Sequence, residues 1–158
     1  MEYLMDLRQR VGHIPLVVAG VSLIVLNERK EILMIERSDN QFWGLPAGSV
    51  EVNEAVEETA KRELLEETGL QTKEVTLYNV LSGEDCFYTY PNGDQCSFVM
   101  ICFYTENYFG EIITETNETT NCLFFAPEAL PDKMVKHERL ALTYFLKEIY
   151  PTLVKGLK

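Results

Sequence analysis

Two runs, LVVAGVSLIVLN and EILMIERS, are apolar and rich in β-branched residues, and the pattern predicts two strands separated by a turn at NERK. The stretch SDNQFWGLPAGSV, full of turn formers, then reads as a loop. From Asn53 to Thr68 apolar residues recur at helical spacing, and Gly69 supplies the stop. Further strands are expected in EVTLYNVLSG, CFYTYPNGDQCSFVMICFYTEN and CLFFAP. A two-residue hairpin at Asn92-Gly93 sets Phe87 opposite Phe98 on one face, Tyr88 and Tyr90 on the other, and Cys96 opposite Thr89. At the start, MEYLMDLRQRV places Tyr3, Leu4, Leu7 and Val11 at helical spacing, a segment suited to covering an edge of the fold or meeting a partner subunit. At the other end a helix over Val135 to Tyr150 carries Leu140, Leu142, Phe145 and Ile149 on one side and stops before Pro151. This mixed order predicts an α+β fold, a sheet covered by helices on its faces, in a single domain over residues 1–158.

Composition narrows the function classes. The chain has 158 residues, 46% of them apolar, enough for a proper core. Its net charge of −11 repels phosphate backbones, so a nucleic-acid polymer is not the expected partner and an anionic substrate needs a cation as go-between. The N-terminus carries Glu2 and Asp6 and no long apolar run, and IPLVVAGVSLIVL is too short to span a bilayer, so no membrane association and a cytoplasmic location are expected. Cys86, Cys96, Cys102 and Cys122 lack metal-ligand spacing and are read as buried free thiols. His13 and His137 have no partner pattern and read as ordinary surface or interface residues.

The central helix is unusually acidic. At about 100° per residue, Glu63, Glu66 and Glu67 fall within roughly 100° of one another. Val56, Ala60 and Leu64 form the apolar stripe beside them, whereas Glu54, Glu57, Glu58 and Lys61 point to water. The cluster therefore borders the interior, where carboxylates about 5 to 6 Å apart repel by roughly 3 kcal/mol per pair at an effective dielectric near 20. A hard divalent cation offsets that repulsion: Mg²⁺ takes carboxylate oxygens, keeps several waters and completes its shell with substrate phosphates. The competing reading is a solvated acidic helix face.

The flanks of the cluster tip the balance. Gly48, Glu54, Arg62, Glu63, Leu64, Glu66, Glu67, Gly69 and Leu70 occupy every fixed position of the signature of the Nudix hydrolases, and the preceding WGLPAG is similar to that family's lead-in. The resemblance extends more loosely over about residues 15 to 148. It implies the Nudix fold, an α/β/α sandwich around a central mixed sheet, and hydrolysis of a nucleoside diphosphate linked to another group. It also implies Mg²⁺, with Mn²⁺ as the substitute, held by Glu63, Glu66 and Glu67 with the carbonyl of Gly48 as a further ligand. Arg62 and Glu54 are then expected to tie loop to helix through an ion pair. The general base is a glutamate of the box, such as Glu63, or one from a later loop, where Glu115 and Glu118 are the candidates. Arg37 and Trp43 lie where family members often meet the substrate, Trp43 having core packing as its other reading. Tyr88 and Tyr90 are candidates for the floor of a base pocket.

Marks of particular substrates are mostly missing outside the box, so the nucleotide stays open among nucleotide sugars, dinucleoside polyphosphates and nucleoside triphosphates. Monomer and homodimer are both compatible with the sequence. Against the hydrolase stands a second class of function, a nucleotide-sensing module of the same fold that does not cleave its ligand. The intact set of box glutamates favours the enzyme.

Overall fold

The computed structural model describes residues 2–157. In chain order the elements are α1 (Glu2–Val11), β1 (Leu16–Val25), β2 (Ile32–Arg37), β3 (Trp43–Gly44), β4 (Ala47–Ser49), α2 (Val56–Thr68), β5 (Leu70–Thr72), β6 (Thr76–Leu81), β7 (Phe87–Thr89), β8 (Gln95–Thr105), β9 (Tyr108–Gly110), β10 (Thr119–Phe125), α3 (Lys136–Tyr144) and α4 (Tyr150–Leu153). One mixed sheet runs β4-β1-β8-β6, with β7 also on β8; β1 and β8 are parallel and the other pairs antiparallel. A second sheet runs β10-β2-β3, and β5 pairs with β9 in a small third. Among the described residues no helix is long and apolar enough to cross a membrane.

The layers follow from strand alternation. Val21, Leu23 and Val25 of β1 join Leu33 and Ile35 of β2 against Ala60 and Leu64 of α2. The alternate residues, Ile24 and Leu26 with Ile32 and Met34, pack on the opposite face against Leu142 of α3 and Phe145. Burial on both faces is why β1 reads as a nearly continuous apolar run. Helix on one face, sheets between and helix on the other is the α/β/α arrangement expected from the sequence. A further cluster, with Leu4 of α1, Val18, Phe98, Met100 and Ala141, extends the second face beneath the hairpin.

Several local expectations are corrected. The segment from 38 to 50, read as a loop, contains β3 and β4. The two strands flanking the NERK turn share one bridge, Leu26 with Ile32, and then part into different sheets. Helix α2 starts at Val56 and not Asn53, because Asn53 has φ of 63° and belongs to a turn in which the Glu54 N–H donates to the Glu51 carbonyl. Its C-terminus is as expected: Gly69, with φ of 78°, donates its N–H to the Leu65 carbonyl.

The hairpin is one residue longer than expected. Tyr90 donates to the Asp94 carbonyl, Gly93 donates back to Tyr90, and Tyr88 pairs with Cys96, leaving a three-residue connection with Gly93 at φ of 91°. A shift of one residue exchanges faces. Phe87 is consequently exposed opposite Ser97, while Phe98 joins Tyr88 and Tyr90 on the buried side. The last helix also does not stop before Pro151. A π turn over Phe145–Ile149, closed by the Tyr150 N–H on the Phe145 carbonyl, precedes α4, whose first turn holds Pro151. Leu140 points outward, leaving Ala141, Leu142 and Phe145 as the buried stripe. All four cysteines are free and buried.

Helix α1 is fastened at both ends. The Tyr3 N–H donates to Glu51 Oε2 at 3.0 Å, next to the start of the acidic segment. Near its C-terminus Arg8 donates to the carbonyls of Gly12, Ile14 and Gln95, the last in the hairpin strand β8. The Arg8 side chain is only 10% exposed and its bond to Gln95 is half-buried, so Arg8→Ala leaves that carbonyl without its donor and should cost about 1–3 kcal/mol of unfolding free energy in urea titration. Arg29→Ala, at a side chain 79% exposed, should stay within about 0.5 kcal/mol of the unaltered protein. Equal effects at the two positions would show that α1 is not held by its arginine.

Candidate active site

The site is built around the extended segment from Gly44 to Val50. Gly44 pairs with Ile35 of β2, and from Pro46 on the even-numbered residues of the segment face β1: the Leu23 N–H donates to the Pro46 carbonyl at 2.9 Å, Gly48 pairs with Val21, and the Val50 N–H donates to Ala19 at 3.0 Å. Its odd-numbered residues face away from β1 and are met by ionisable side chains. The Leu45 N–H donates to Glu138 Oε2 at 3.0 Å, the Ala47 N–H to Glu67 Oε2 at 3.0 Å, and Arg62 Nη2 donates to the Ser49 carbonyl at 3.1 Å. Side chains of α2 and α3 thus replace a neighbouring strand on that edge, satisfying buried backbone groups that would otherwise be orphaned.

On α2, Glu63 and Glu67 are both 5% exposed, whereas Glu66 reaches solvent. Their placement depends on what lies opposite. A Cβ built on Gly48 would lie 2.0 Å from Glu63 Oε1, so glycine leaves the space that this carboxylate fills. Arg62 forks among the acids: Nε donates to Glu54 Oε1 at 2.7 Å, and Nη1 donates to Glu63 at 2.7 Å and to Glu66 at 3.2 Å. Arg62, with smaller help from the Glu51 N–H and the Thr59 hydroxyl, brings the Glu54 carboxyl down to about 2. Glu54 is therefore held in the ion pair and does not simply point to water. Burial pushes Glu63 up to about 7 against the opposing pull of Arg62. Burial and the neighbouring Glu63 raise Glu67 well above the ordinary carboxylate range.

Beyond these carboxylates opens a cavity that collects most of the candidate residues. Gly48, Glu63, Glu66 and Glu67 line it together with Glu118, Arg37, Tyr88 and Tyr90. Arg37 is its one lysine or arginine among the described residues, and both its Nε and Nη2 donate to the Asp39 carboxylate, at 3.0 and 2.7 Å. The rings of Tyr88 and Tyr90 meet edge to face, their centroids 4.8 Å apart. Glu118 enters from the loop before β10, whereas Glu115 does not reach the cavity. Trp43 does not reach it either, correcting its reading as a substrate contact: its ring meets Phe125 edge to face at 5.0 Å, against the core under the second sheet.

Phe98, His137 and Glu138 are among the cavity residues that escaped the sequence reading. Phe98 arrives through the hairpin register. His137 is not a surface residue; it is 7% exposed, its ring centroid lies 5.4 Å from that of Phe98, and burial, then Arg37, lowers it to about 4, so it is neutral at pH 7. Glu138 is 4% exposed, and burial pushes it up to about 7 against the pull of Arg37. A signal was present: the two lie four positions before Ala141 and Leu142, so they are polar residues on the apolar stripe of α3.

The sequence model of the NUDIX domain matches residues 17–145. The chain belongs to the Nudix family. A putative 8-oxo-dGTP diphosphatase of Bacillus subtilis is 33% identical over 127 residues, 80% of this chain and 78% of that protein. An ADP-ribose pyrophosphatase of Methanocaldococcus jannaschii is 33% identical over 123 residues, 76% of this chain and 69% of its own. The structure of a MutT NUDIX hydrolase from Burkholderia pseudomallei superposes with a TM-score of 0.68 at 27% identity, covering 81% of this chain and 97% of that one. In this Nudix chain the family match begins after α1, so the helix clamped to the hairpin and to Glu51 is an addition to the matched region.

The raised carboxyls have a definite stability signature. A native carboxyl whose pKa lies above its unfolded value of 4.5 retains protons that the unfolded chain has released, so its contribution is full below about 4.5 and is lost as pH rises through about 7. For Glu63 the loss is on the order of 3 kcal/mol. In chelator, Glu67→Gln, which keeps an oxygen to accept the Ala47 N–H, should melt higher than the unaltered protein, by more at pH 8 than at pH 5. A lower melting temperature at pH 8 would mean that the acids act as a stabilising ion-paired face.

Proposed function

We propose that this protein is a divalent-metal-dependent hydrolase that cleaves the pyrophosphate linkage of a nucleoside diphosphate derivative by attack of water on phosphorus. One observation carries the reading: Glu63 and Glu67 are buried side by side at the wall of a cavity, on the helix that bears the Nudix signature. Burying two carboxylates together is unfavourable unless a positive charge joins them. Arg62 supplies one such charge but already serves Glu54 and Glu66 as well.

The donor set suits a hard cation. Among the described residues, no group of three or more His, Cys, Asp or Glu side chains forms a metal cage by itself. Mg²⁺ does not need such a cage, since it keeps waters and takes phosphate oxygens from the substrate. The residues that would hold Mg²⁺ or Mn²⁺ are Glu63, Glu66 and Glu67, with the carbonyl of Gly48 beside them; a larger residue at 48 would meet the Glu63 carboxylate. When bound, the cation neutralises the diphosphate and makes a water more acidic.

The remaining roles belong to the chain. Arg37 offers a guanidinium to an anionic oxygen of the substrate, with Asp39 orienting it. Tyr88, Tyr90 and Phe98 give the cavity an aromatic wall suited to a nucleobase. Glu118, on a loop across from α2, is the carboxylate we assign to take the proton of the attacking water. The relatives' names, a diphosphatase of 8-oxo-dGTP and a pyrophosphatase of ADP-ribose, support the reaction class and leave the substrate open between a triphosphate and a linked diphosphate.

The test is a panel of ADP-ribose, nucleotide sugars, dinucleoside polyphosphates and oxidised and ordinary nucleoside triphosphates, assayed with Mg²⁺ and with Mn²⁺. At least one compound should be hydrolysed, excess EDTA should abolish turnover, and Glu67→Gln should lower it by about a hundredfold or more. Glu118→Gln should cost about 10²–10⁴-fold and Glu115→Gln little. Undiminished turnover in EDTA, or by Glu67→Gln, would remove the metal-dependent mechanism. Binding of a nucleotide without cleavage of any compound would favour the sensing module instead.

A further inference from the structure

We infer that Glu138 is a positioning residue: from α3 it fixes the outer edge of the segment Gly44–Ser49, and thereby the place of Gly48 and Ala47 against the acids of α2. The inference deepens the hydrolase reading in its kinetic consequence and stands apart from it in its structural one.

The argument begins with an unpaired edge. Gly44 is paired with Ile35 of β2 and residues 46, 48 and 50 are hydrogen-bonded to β1, but among the described residues no strand lies on the other side of residues 45–49. There the Leu45 N–H is taken by Glu138 and the Ala47 N–H by Glu67, two residues apart, one acid from each helix. They bracket Pro46, which has no N–H to contribute. Glu67 belongs to the signature helix, but Glu138 lies 93 positions from its partner and comes from the opposite layer of the sandwich.

The fit at this contact is as close as the one at Gly48. A Cβ on Gly44 would lie 2.0 Å from Glu138 Oε2, just as a Cβ on Gly48 would lie 2.0 Å from Glu63 Oε1. Two glycines of the segment therefore each admit one buried carboxylate, and the edge not paired to β2 or β1 is held by α3 and α2. Leu45 itself is 1% exposed and packs with Met134 and Leu142, so the backbone at 45 cannot turn to seek solvent in place of Glu138. Loss of the carboxylate leaves a buried N–H without a partner and frees the strand two residues before Ala47. A displacement of about 1 Å in a group aligned on the reacting atoms can cost about a hundredfold in rate.

Substitutions separate positioning from mere filling and from substrate contact. Glu138→Gln keeps an oxygen for the Leu45 N–H and should retain kcat within about fivefold on whichever of 8-oxo-dGTP and ADP-ribose the unaltered protein hydrolyses with Mg²⁺. Glu138→Ala should lose roughly 10- to 100-fold in kcat with KM changed by about twofold or less. Gly44→Ala is the second route: its φ is not in the left-handed region, so the new methyl displaces the flexible carboxylate without straining the chain. It should reproduce the Glu138→Ala defect, and the double variant should be no worse than either single one, because both remove the same bond. Amide hydrogen exchange supplies the readout that needs no substrate: protection at Leu45 should fall in Glu138→Ala and Gly44→Ala and persist in Glu138→Gln.

Unchanged Leu45 protection in both Glu138→Ala and Gly44→Ala overturns the inference, as does a Glu138→Gln defect as large as that of Glu138→Ala. Lost protection with unchanged kcat confines Glu138 to the fold and overturns its role in the reaction. If the unaltered protein hydrolyses neither compound, it is the hydrolase reading that is in question, and the exchange data still decide whether Glu138 holds the segment. If Glu138→Ala does not fold, Gly44→Ala and Glu138→Gln carry the same comparison.

Discussion

Helix α2 must bury the face that carries two of its acids, and the rest of the site is arranged around that constraint. Ala60 and Leu64 belong to the central core, so the helix cannot roll to bring Glu63 and Glu67 into water without withdrawing them. Each buried carboxylate then needs local compensation, since the penalty for desolvating an ion amounts to several kcal/mol. Glu63 finds it in Arg62 and in the space over Gly48; Glu67 finds it in the Ala47 N–H. None of these compensates fully, which is why both carboxyls titrate above their ordinary range. A surface with residual demand for positive charge, facing a cavity, is suited to a cation that arrives with an anionic substrate.

The same compensation organises neighbouring elements. The extended segment over residues 45–49 is a strand on one side only, and its second side is completed by side chains. A backbone neighbour there would have filled the cavity. Carboxylates and a guanidinium instead satisfy the backbone groups while leaving oxygens and open space beside them. The fold thus gains a rigid wall without closing the site.

Most of the layers were legible because they rest on periodicity. Alternation in β1 and β2 and the helical stripe through Ala60 and Leu64 predict which faces are buried, and the spacing from Gly48 to Leu70 identifies the family without any structure. What could not be read depends on distances between segments far apart in the chain. Nothing in Asn92-Gly93 itself distinguishes a two-residue from a three-residue connection, yet that single residue decides whether Phe98 lies with Phe87 or with the tyrosines. The contact between Glu138 and Leu45 was hidden for the same reason. Its sequence trace was only two polar residues, His137 and Glu138, set on an apolar stripe, and an N-terminal helical turn is an ordinary place for polar residues. Trp43 failed in the opposite sense: proximity in sequence to the box did not bring its ring to the cavity.

These differences explain why the reaction class is easier to infer than the substrate. The groups assigned to the cation sit on one helix and the strand before it, a compact stretch with a fixed pattern. The wall suited to a base is assembled from the hairpin, from Val135 and His137 at the start of α3, and indirectly from α1, whose Arg8 holds the carbonyl of Gln95 beside the hairpin turn. Helix α1 also places Leu4 in the cluster beneath Phe98 and Tyr90, so it supports the aromatic wall from behind. That helix lies before the residues matched to the family. The part of the site that would discriminate among bases is therefore shaped by a register shift and by a segment outside the family pattern, and a signature confined to residues 48–70 carries no information about either.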